Sequence, residues 1–182
     1  MAASVEGDGR IRLFCALLLP AAVVDALASW QSAELRDVRV VPPGNLHVTL
    51  AFLGHRPRAE TEAVVADLRA AAAAAGPLRF SVAAYRETRS VGMLVCDDEG
   101  GAGALMAADL HARLAARGVY RPERRRWLPH VTVARFRRPP GLHPPLPSVR
   151  TFVPSDAAAY LSRLGPGGAQ YEVLESVSLN RQ

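Results

Sequence analysis

Residues 45–52 read NLHVTLAF and residues 128–136 read LPHVTVARF, so the pattern H-V-T-[LV]-A occurs twice in this chain. With five histidines and five threonines in 182 residues, chance would give roughly 0.14 H-x-T triplets. Both copies lie in β-branched, apolar segments of the kind that form strands. The repeat therefore predicts two equivalent strands, each presenting one histidine and one threonine.

The polar residues of each copy are predicted to share one face of their strand, because successive side chains point to opposite faces. His47 and Thr49 are expected on one face together with Ala51, whereas the residues between them and Phe52 are expected to be buried. The second copy follows the same rule. Since the polar positions recur along with the apolar ones, a paired site in one cleft is favoured over two unrelated half-exposed polar faces.

The flanking sequence extends the repeat. A strand, a helix and an H-x-T strand are predicted in residues 11–54 and again in residues 91–136. This arrangement favours an α+β fold in which two similar lobes of antiparallel sheet carry helices on their outer faces. We expect a pseudo-two-fold axis between the lobes, with the active cleft there. One bilobal domain over residues 1–182 is predicted, with residues 1–9 as a disordered leader.

The composition excludes several kinds of chemistry. All 22 basic residues are arginines, and the formal net charge is +5. Without lysine the chain has no P-loop amine for phosphates and no side-chain amine for a Schiff base or a lysyl-nucleotide intermediate. No His, Cys, Asp or Glu cluster has metal-ligand spacing, so neither a metal nor a cofactor is expected.

The cysteines and the apolar segments indicate a cytoplasmic protein. Cys15 and Cys96 lie in apolar runs and are expected to be buried free thiols, although the sequence alone leaves a disulfide between them open. No run is long enough to span a bilayer. Residues 13–22 weakly resemble a signal peptide, but their short length favours a buried first strand.

Four segments carry a resemblance to a known family: residues 12–14, 41–54, 125–135 and 160–171. With its two H-x-T motifs the chain resembles the 2H phosphoesterases, which are named for them. It is most similar to the bacterial and archaeal RNA 2′,3′-cyclic phosphodiesterases, historically called 2′-5′ RNA ligases. The resemblance covers nearly the whole chain.

The resemblance implies a monomeric hydrolase that converts the 2′,3′-cyclic phosphate end of an RNA or nucleotide to a 2′-phosphate without a metal. It implies that His47 is the general acid for the departing 3′ oxygen and His130 the general base for water. Thr49 and Thr132 would hydrogen-bond the phosphate oxygens, and Arg135 would neutralise their charge. The chemistry agrees, because a poor nucleophile and a poor leaving group need one proton acceptor and one proton donor.

Three alternatives stay open at this point. The first is a binding module that holds an RNA end without turning it over. The second is an enzyme for another small cyclic phosphate or for a 2′-5′ linkage. The third is the reverse reaction, 2′-5′ RNA ligation, which needs no nucleotide cofactor.

Arg135 poses a geometric difficulty. Strict alternation places it on the face opposite His130. For the guanidinium to reach a phosphate, the strand must bulge or end near Ala134, or the long side chain must curl around the edge of the strand. Otherwise Arg135 belongs to a basic surface. Residues 121–138 contain seven arginines against Glu123, and such a run is either a solvated face or a path for an RNA backbone.

The remaining histidines are expected at the surface, and the remaining aromatic residues near the motifs are expected mainly to pack. Three histidines are expected at the surface, in a loop, on a helix and among prolines respectively: His55, His111 and His143. Three aromatic residues are candidates for stacking a base, although packing is the simpler role for each: Phe52, Trp127 and Phe136.

Overall fold

The two H-x-T strands lie side by side at the centre of one antiparallel sheet. The computed structural model describes residues 9–166 and 168–179; apart from Gly9, the predicted leader lies outside them. The strands are β1 (Arg10–Leu18), β2 (Arg39–Val40), β3 (His47–Pro57), β4 (Phe80–Glu87), β5 (Val91–Asp98), β6 (His130–Arg135), β7 (Thr151–Phe152), β8 (Asp156–Gly165) and β9 (Gly168–Ser178). The α-helices are α1 (Ala21–Glu34), α2 (Thr61–Ala74) and α3 (Ala102–Ala116).

The strand order reveals the predicted internal symmetry. It runs β7-β4-β5-β6-β3-β1-β8-β9, with β2 pairing beside β6. Each H-x-T strand is flanked by the strand that begins its own copy of the repeat, so β5-β6 on one side corresponds to β3-β1 on the other. The α+β class is confirmed. The lobes join edge to edge through β3 and β6, and the cleft is therefore built on one continuous sheet.

Helix α1 buries an apolar stripe and, with it, one polar residue. Val23, Leu27 and Trp30 are buried, as is Gln31, which is only 2% exposed. The Gln31 side-chain amide donates to the carbonyls of Val41 (3.0 Å) and Val133 (2.7 Å). This amide therefore joins α1 to the second H-x-T strand.

Helix α3 begins where an acidic turn meets a glycine-rich segment. The Asp98 carboxylate accepts hydrogen bonds from the backbone N–H groups of Gly103 (3.1 Å) and Ala104 (2.7 Å). These bonds satisfy donors that the first turn of a helix leaves unpaired, and the negative charge is favourable at that end. The acidic turn is thus a helix cap.

The cysteines and helices agree with the sequence-based expectations. Cys15 and Cys96 are buried free thiols, and burial raises the pKa of each to about 12. Neither thiol is a nucleophile near neutral pH. None of the helices in the described residues is both long and apolar enough to cross a membrane.

Candidate active site

A β-bulge in β6 solves the difficulty with Arg135. On the neighbouring strand β5, Gly92 pairs with Ala134 and Met93 pairs with Thr132, so Val133 is an extra residue in β6. Val133 and Ala134 are consequently both buried. The alternation is reset by one position, and Arg135 returns to the face of His130 and Thr132. Of the predicted ways for Arg135 to reach the motif face, β6 therefore uses a bulge, next to Ala134.

The same bulge occurs in β3 and corrects one prediction. Cys15 pairs with Ala51 and Ala16 pairs with Thr49, which makes Leu50 the extra residue. Ala51 is therefore buried, at 2% exposure, and Phe52 is 49% exposed. The assignment of Ala51 to the polar face and of Phe52 to the core was wrong, because it assumed an unbroken pleat. Phe52 occupies the position in β3 that Arg135 occupies in β6.

The bulge in β6 is supported by the buried amide of α1, and this yields a prediction. Replacing Gln31 with leucine removes both hydrogen bonds to the Val41 and Val133 carbonyls and puts an apolar side chain of similar size in the place of the amide. We expect the free energy of unfolding to fall by about 1–3 kcal/mol, the usual cost of unpairing buried polar groups. Urea unfolding measures this loss, and Gln170→Leu at an exposed position is the control. Unchanged stability in Gln31→Leu would contradict the role.

Direct pairing of the two strands brings the motifs together. Val48 lies opposite Val131 in an antiparallel ladder. One residue further in each direction, this register sets His47 beside Thr132 and Thr49 beside His130, all on the other face. The two histidines then lie on a diagonal, for which typical spacing is about 7–8 Å. That spacing suits an acid and a base on opposite sides of one phosphorus atom.

Both histidines are oriented by the carbonyl two residues earlier in the chain. His47 Nδ1 donates to the Asn45 carbonyl (2.9 Å), and His130 Nδ1 donates to the Leu128 carbonyl (2.8 Å). This fixes the ring proton on Nδ1 in the neutral form of each ring. The Nε2 atom of His47 lies 3.1 Å from the Thr49 hydroxyl, whose O–H donates to it. Each ring thus has Nε2 available for proton transfer.

The surroundings of the two histidines differ. Three aromatic rings pack around His47, with centroid distances of 5.1, 6.0 and 5.5 Å for Phe14, Tyr160 and Tyr171. The pKa of His47 is lowered to about 4: burial is the main cause, the hydrogen bond to the Asn45 carbonyl opposes it, and electrostatic interactions with His130 and Arg135 add to the lowering. His47 is therefore neutral in the free protein at neutral pH. His130 is half-buried.

Four of the five predicted site residues line one cleft of about 320 Å³: His47, Thr49, Thr132 and Arg135. The fifth, His130, lines an adjoining cavity of about 710 Å³, and Thr49 and Phe52 line both. Two further arginines, Arg12 and Arg39, line the smaller cleft, whose described lining residues include no Asp or Glu. The cleft is consequently suited to an anion.

Sequence reasoning did not assign Arg12, Arg39 or Tyr171 to the site. The Arg12 guanidinium lies over the Phe52 ring, 4.8 Å from its centroid. Arg39 lies against Gly168, whose φ of +110° and lack of a side chain leave room for the guanidinium. Arg12 and Tyr171 lie within the segments 12–14 and 160–171 that carry the family resemblance, but that resemblance gave them no role in the site.

The other candidate residues have mainly structural roles. His55 is exposed as predicted, but in β3 and not in a loop. His111 is half-buried, with Nε2 2.7 Å from the Leu50 carbonyl, so its expected surface location was wrong. Trp127 donates from Nε1 to the Thr49 carbonyl (2.9 Å). Trp127 and Phe136 both pack against the core.

No group of three or more His, Cys, Asp or Glu side chains within residues 9–166 and 168–179 is placed to hold a metal ion. The five predicted site residues supply two imidazoles, two hydroxyls and one guanidinium.

Comparisons with known proteins agree on one family. Residues 19–162 match the family model described as the 2′-5′ RNA ligase superfamily. The chain is 31% identical over 179 residues to a Thermus thermophilus protein named RNA 2′,3′-cyclic phosphodiesterase, covering 93% of this chain and 90% of that protein.

Solved structures show the same relationship. The crystal structure of TT0787 of Thermus thermophilus superposes with a TM-score of 0.79 at 30% identity, covering 93% of this chain and 98% of that one. Escherichia coli LigT complexed with 3′-AMP has the same fold, with a TM-score of 0.77 at 24% identity over 94% of this chain and 99% of that one. The chain therefore belongs to the 2′-5′ RNA ligase superfamily, the 2H phosphoesterases that its paired motifs predict, and it is a phosphoesterase.

Proposed function

We propose that this phosphoesterase hydrolyses RNA ends bearing a 2′,3′-cyclic phosphate to the 2′-phosphate, with His47 as general acid and His130 as general base. The observation that carries the proposal is the pairing of Val48 with Val131, from which the register sets both histidines on one face at diagonal positions. The name of the Thermus thermophilus relative supports the same substrate class.

In the proposed reaction, the Nε2 atoms of His130 and His47 transfer the two protons. His130 takes a proton from water as the water oxygen bonds to phosphorus. The bond from phosphorus to the 3′ oxygen breaks in line with this attack, and His47 gives that oxygen a proton. The product keeps the phosphate on the 2′ oxygen. Each positioned proton transfer typically contributes about 10²–10⁴-fold to the rate.

The remaining site residues bind the phosphate. Once His47 carries a proton on Nε2, the Thr49 hydroxyl no longer donates to that atom. The hydroxyls of Thr49 and Thr132 then both donate to the non-bridging phosphate oxygens without adding charge. The Arg135 guanidinium offers two parallel donors and remains charged throughout the usable pH range. Arg12 and Arg39 add positive potential to the cleft.

Substrate binding is expected to raise the pKa of His47, so that the ring takes up the proton that a general acid needs. In the free protein its pKa is about 4, mainly because burial disfavours the imidazolium, and the nearby Arg135 guanidinium adds to this. An anionic phosphate beside Nε2 acts in the opposite direction, since a close negative charge favours the charged ring. The acid form is therefore assembled when substrate and proton bind together.

The test is incubation of the purified protein with a short RNA that ends in a 2′,3′-cyclic phosphate, with and without a metal chelator. We expect turnover at the same rate in both samples and a product that carries only a 2′-phosphate. A 3′-phosphate product would contradict the leaving-group assignment, and loss of activity with chelator would contradict metal independence. Saturable binding without product would instead indicate a binding module.

A further inference from the structure

A helix side chain from each repeat bonds to the bulge in the other repeat. Val133 is the extra residue of β6, and its carbonyl accepts a hydrogen bond of 2.7 Å from Gln31 Nε2 in α1. Leu50 is the extra residue of β3, and its carbonyl lies 2.7 Å from His111 Nε2 in α3. This ring nitrogen is the donor, because a carbonyl oxygen only accepts. The two lobes are thus joined by reciprocal side-chain hydrogen bonds.

The internal repeat makes Gln31 and His111 equivalent positions. Each lies 20 residues after the first residue predicted for the opening strand of its repeat, at residues 11 and 91. Each bulge lies three residues after its motif histidine. One side chain is an amide and the other an imidazole, yet both give an N–H to the same kind of acceptor. The shared N–H therefore indicates that this position serves the bulge.

Each bulge decides where the residue two positions beyond it points. In β6 that residue is Arg135, and in β3 it is Phe52. An unbroken pleat would turn both side chains away from the motif face, since alternation along a strand is strict. With the bulges both line the cleft, and the Arg12 guanidinium lies 4.8 Å above the Phe52 ring. The bulges therefore place the positive groups of the cleft.

Gln31 also aligns two of the cleft arginines with each other. Strand β2 pairs Arg39 with Arg135, and directly opposed residues of an antiparallel pair lie on one face. Beyond this pair, the Val41 N–H donates to the Val133 carbonyl (2.9 Å), and Gln31 Nε2 donates to both carbonyls. The buried amide therefore fixes the ladder on which both guanidiniums are mounted.

The bulges need such donors because an extra residue interrupts the regular ladder. Leu50 and Val133 are buried, at 2% and 0% exposure, so their carbonyls depend on protein donors. Both donors are side chains of helices packed on the sheet. Without them, the bulged strand competes less well with a regular pleat, in which Arg135 faces away from the phosphate.

We propose that Gln31 and His111 are positioning residues for catalysis, which hold the two bulges and so set Arg135 and Phe52 at the cleft. The inference rests on the proposed function, in which Arg135 binds the phosphate. Gln31 acts through Arg135, and His111 acts through Phe52 and the Arg12 guanidinium above it. Loss of either donor is therefore expected to lower activity in a protein that remains folded.

A double-mutant cycle tests the Gln31 arm, with hydrolysis of adenosine 2′,3′-cyclic phosphate as the readout. Gln31→Leu should lower kcat/KM on the order of tenfold, which corresponds to about 1.4 kcal/mol of transition-state stabilisation. In the Arg135→Ala background the same substitution should change kcat/KM less than about twofold, because the group that it positions is already gone. A purely structural role would leave the two losses multiplicative.

A conservative exchange tests the His111 arm and decides the case alone if Gln31→Leu does not fold. His111→Phe keeps a ring to stack on Tyr120, whose centroid lies 4.6 Å away, but has no donor. It should lower kcat/KM on the order of threefold to tenfold, and the loss should vanish in the Phe52→Ala background. His111→Gln offers an amide N–H, as Gln31 does, and should retain activity within about twofold of the unchanged protein.

The matched control is Asp67→Asn, which breaks a buried ion pair with Arg117 away from both bulges. Asp67 is not among the described residues that line the two cavities at the motifs. With every protein measured well below its unfolding temperature, this variant should lose stability and keep kcat/KM.

The outcomes separate this inference from the proposed function. Multiplicative losses in either cycle, unchanged kcat/KM in His111→Phe, or an equal loss in Asp67→Asn would overturn the positioning roles while hydrolysis by the unchanged protein stands. Absence of hydrolysis by the unchanged protein would overturn the proposed function, and the positioning roles with it.

Discussion

Alanine at His47 or at His130 is expected to lower kcat for cyclic phosphate hydrolysis by about 10²–10⁴-fold, while the protein stays folded. Each substitution removes one of two proton transfers that the reaction needs, because water is a poor nucleophile and an alkoxide a poor leaving group. The double variant should be little worse than the more damaging single variant, since residues that act as one unit are not additive.

Steady-state hydrolysis of a cyclic mononucleotide measures these losses, with circular dichroism as the check on folding. His55→Ala is the matched control, because His55 lies in β3, eight residues after His47, and is exposed. Its activity should be unchanged. Full activity in either motif variant would refute the two-histidine mechanism.

The stability of the protein is expected to decrease as the pH falls from about 6.5 to about 4, in part because of His47. In the unfolded chain this imidazole takes up a proton near its ordinary pKa of 6.5, whereas burial holds the folded pKa at about 4. The unfolded state therefore binds more protons in this window, so acid favours unfolding. Taking about 1.4 kcal/mol for each pKa unit, the difference of about 2.5 between the two states gives a full effect of about 3.5 kcal/mol below pH 4.

A variant isolates this contribution from that of the acidic residues. His47→Gln has no titrating ring, so its loss of stability between pH 6.5 and pH 4 should be smaller by that amount. Inorganic phosphate should stabilise the unchanged protein more at pH 5 than at pH 8, since the bound anion favours the imidazolium. Urea unfolding across the pH series measures both effects. Identical pH dependence in the two proteins would contradict the low pKa of His47.

The repeated motif made most of the fold predictable, because it fixed two equivalent strands and the elements before them. Helix α1 and strands β1 and β5 were predictable because their segments carry apolar runs or apolar periodicity. Strand β7 was not predicted, since two residues carry no periodicity. The burial of Gln31 was not predicted either, because its partners Val41 and Val133 are brought to it only by the folded sheet.

The candidate site was predictable in its residue types and less so in its geometry. Counting alternate positions fails beyond Thr49 and beyond Thr132, because a bulge adds one residue to each strand. The same bulges that placed Phe52 wrongly are what bring Arg135 to the motif face. Arg12 and Tyr171 come from other strands, and only the pairing of those strands shows that they line the cleft.

The central claim is that two imidazoles act on one phosphodiester in different roles, and an activated substrate tests it most directly. In a para-nitrophenyl phosphodiester of a nucleoside, the leaving group departs as a stable anion and does not need a proton. With this substrate the deficit of His47→Ala should shrink at least tenfold relative to the cyclic phosphate, whereas that of His130→Ala should persist. Equal deficits on both substrates, or rescue of His130→Ala in place of His47→Ala, would contradict the account.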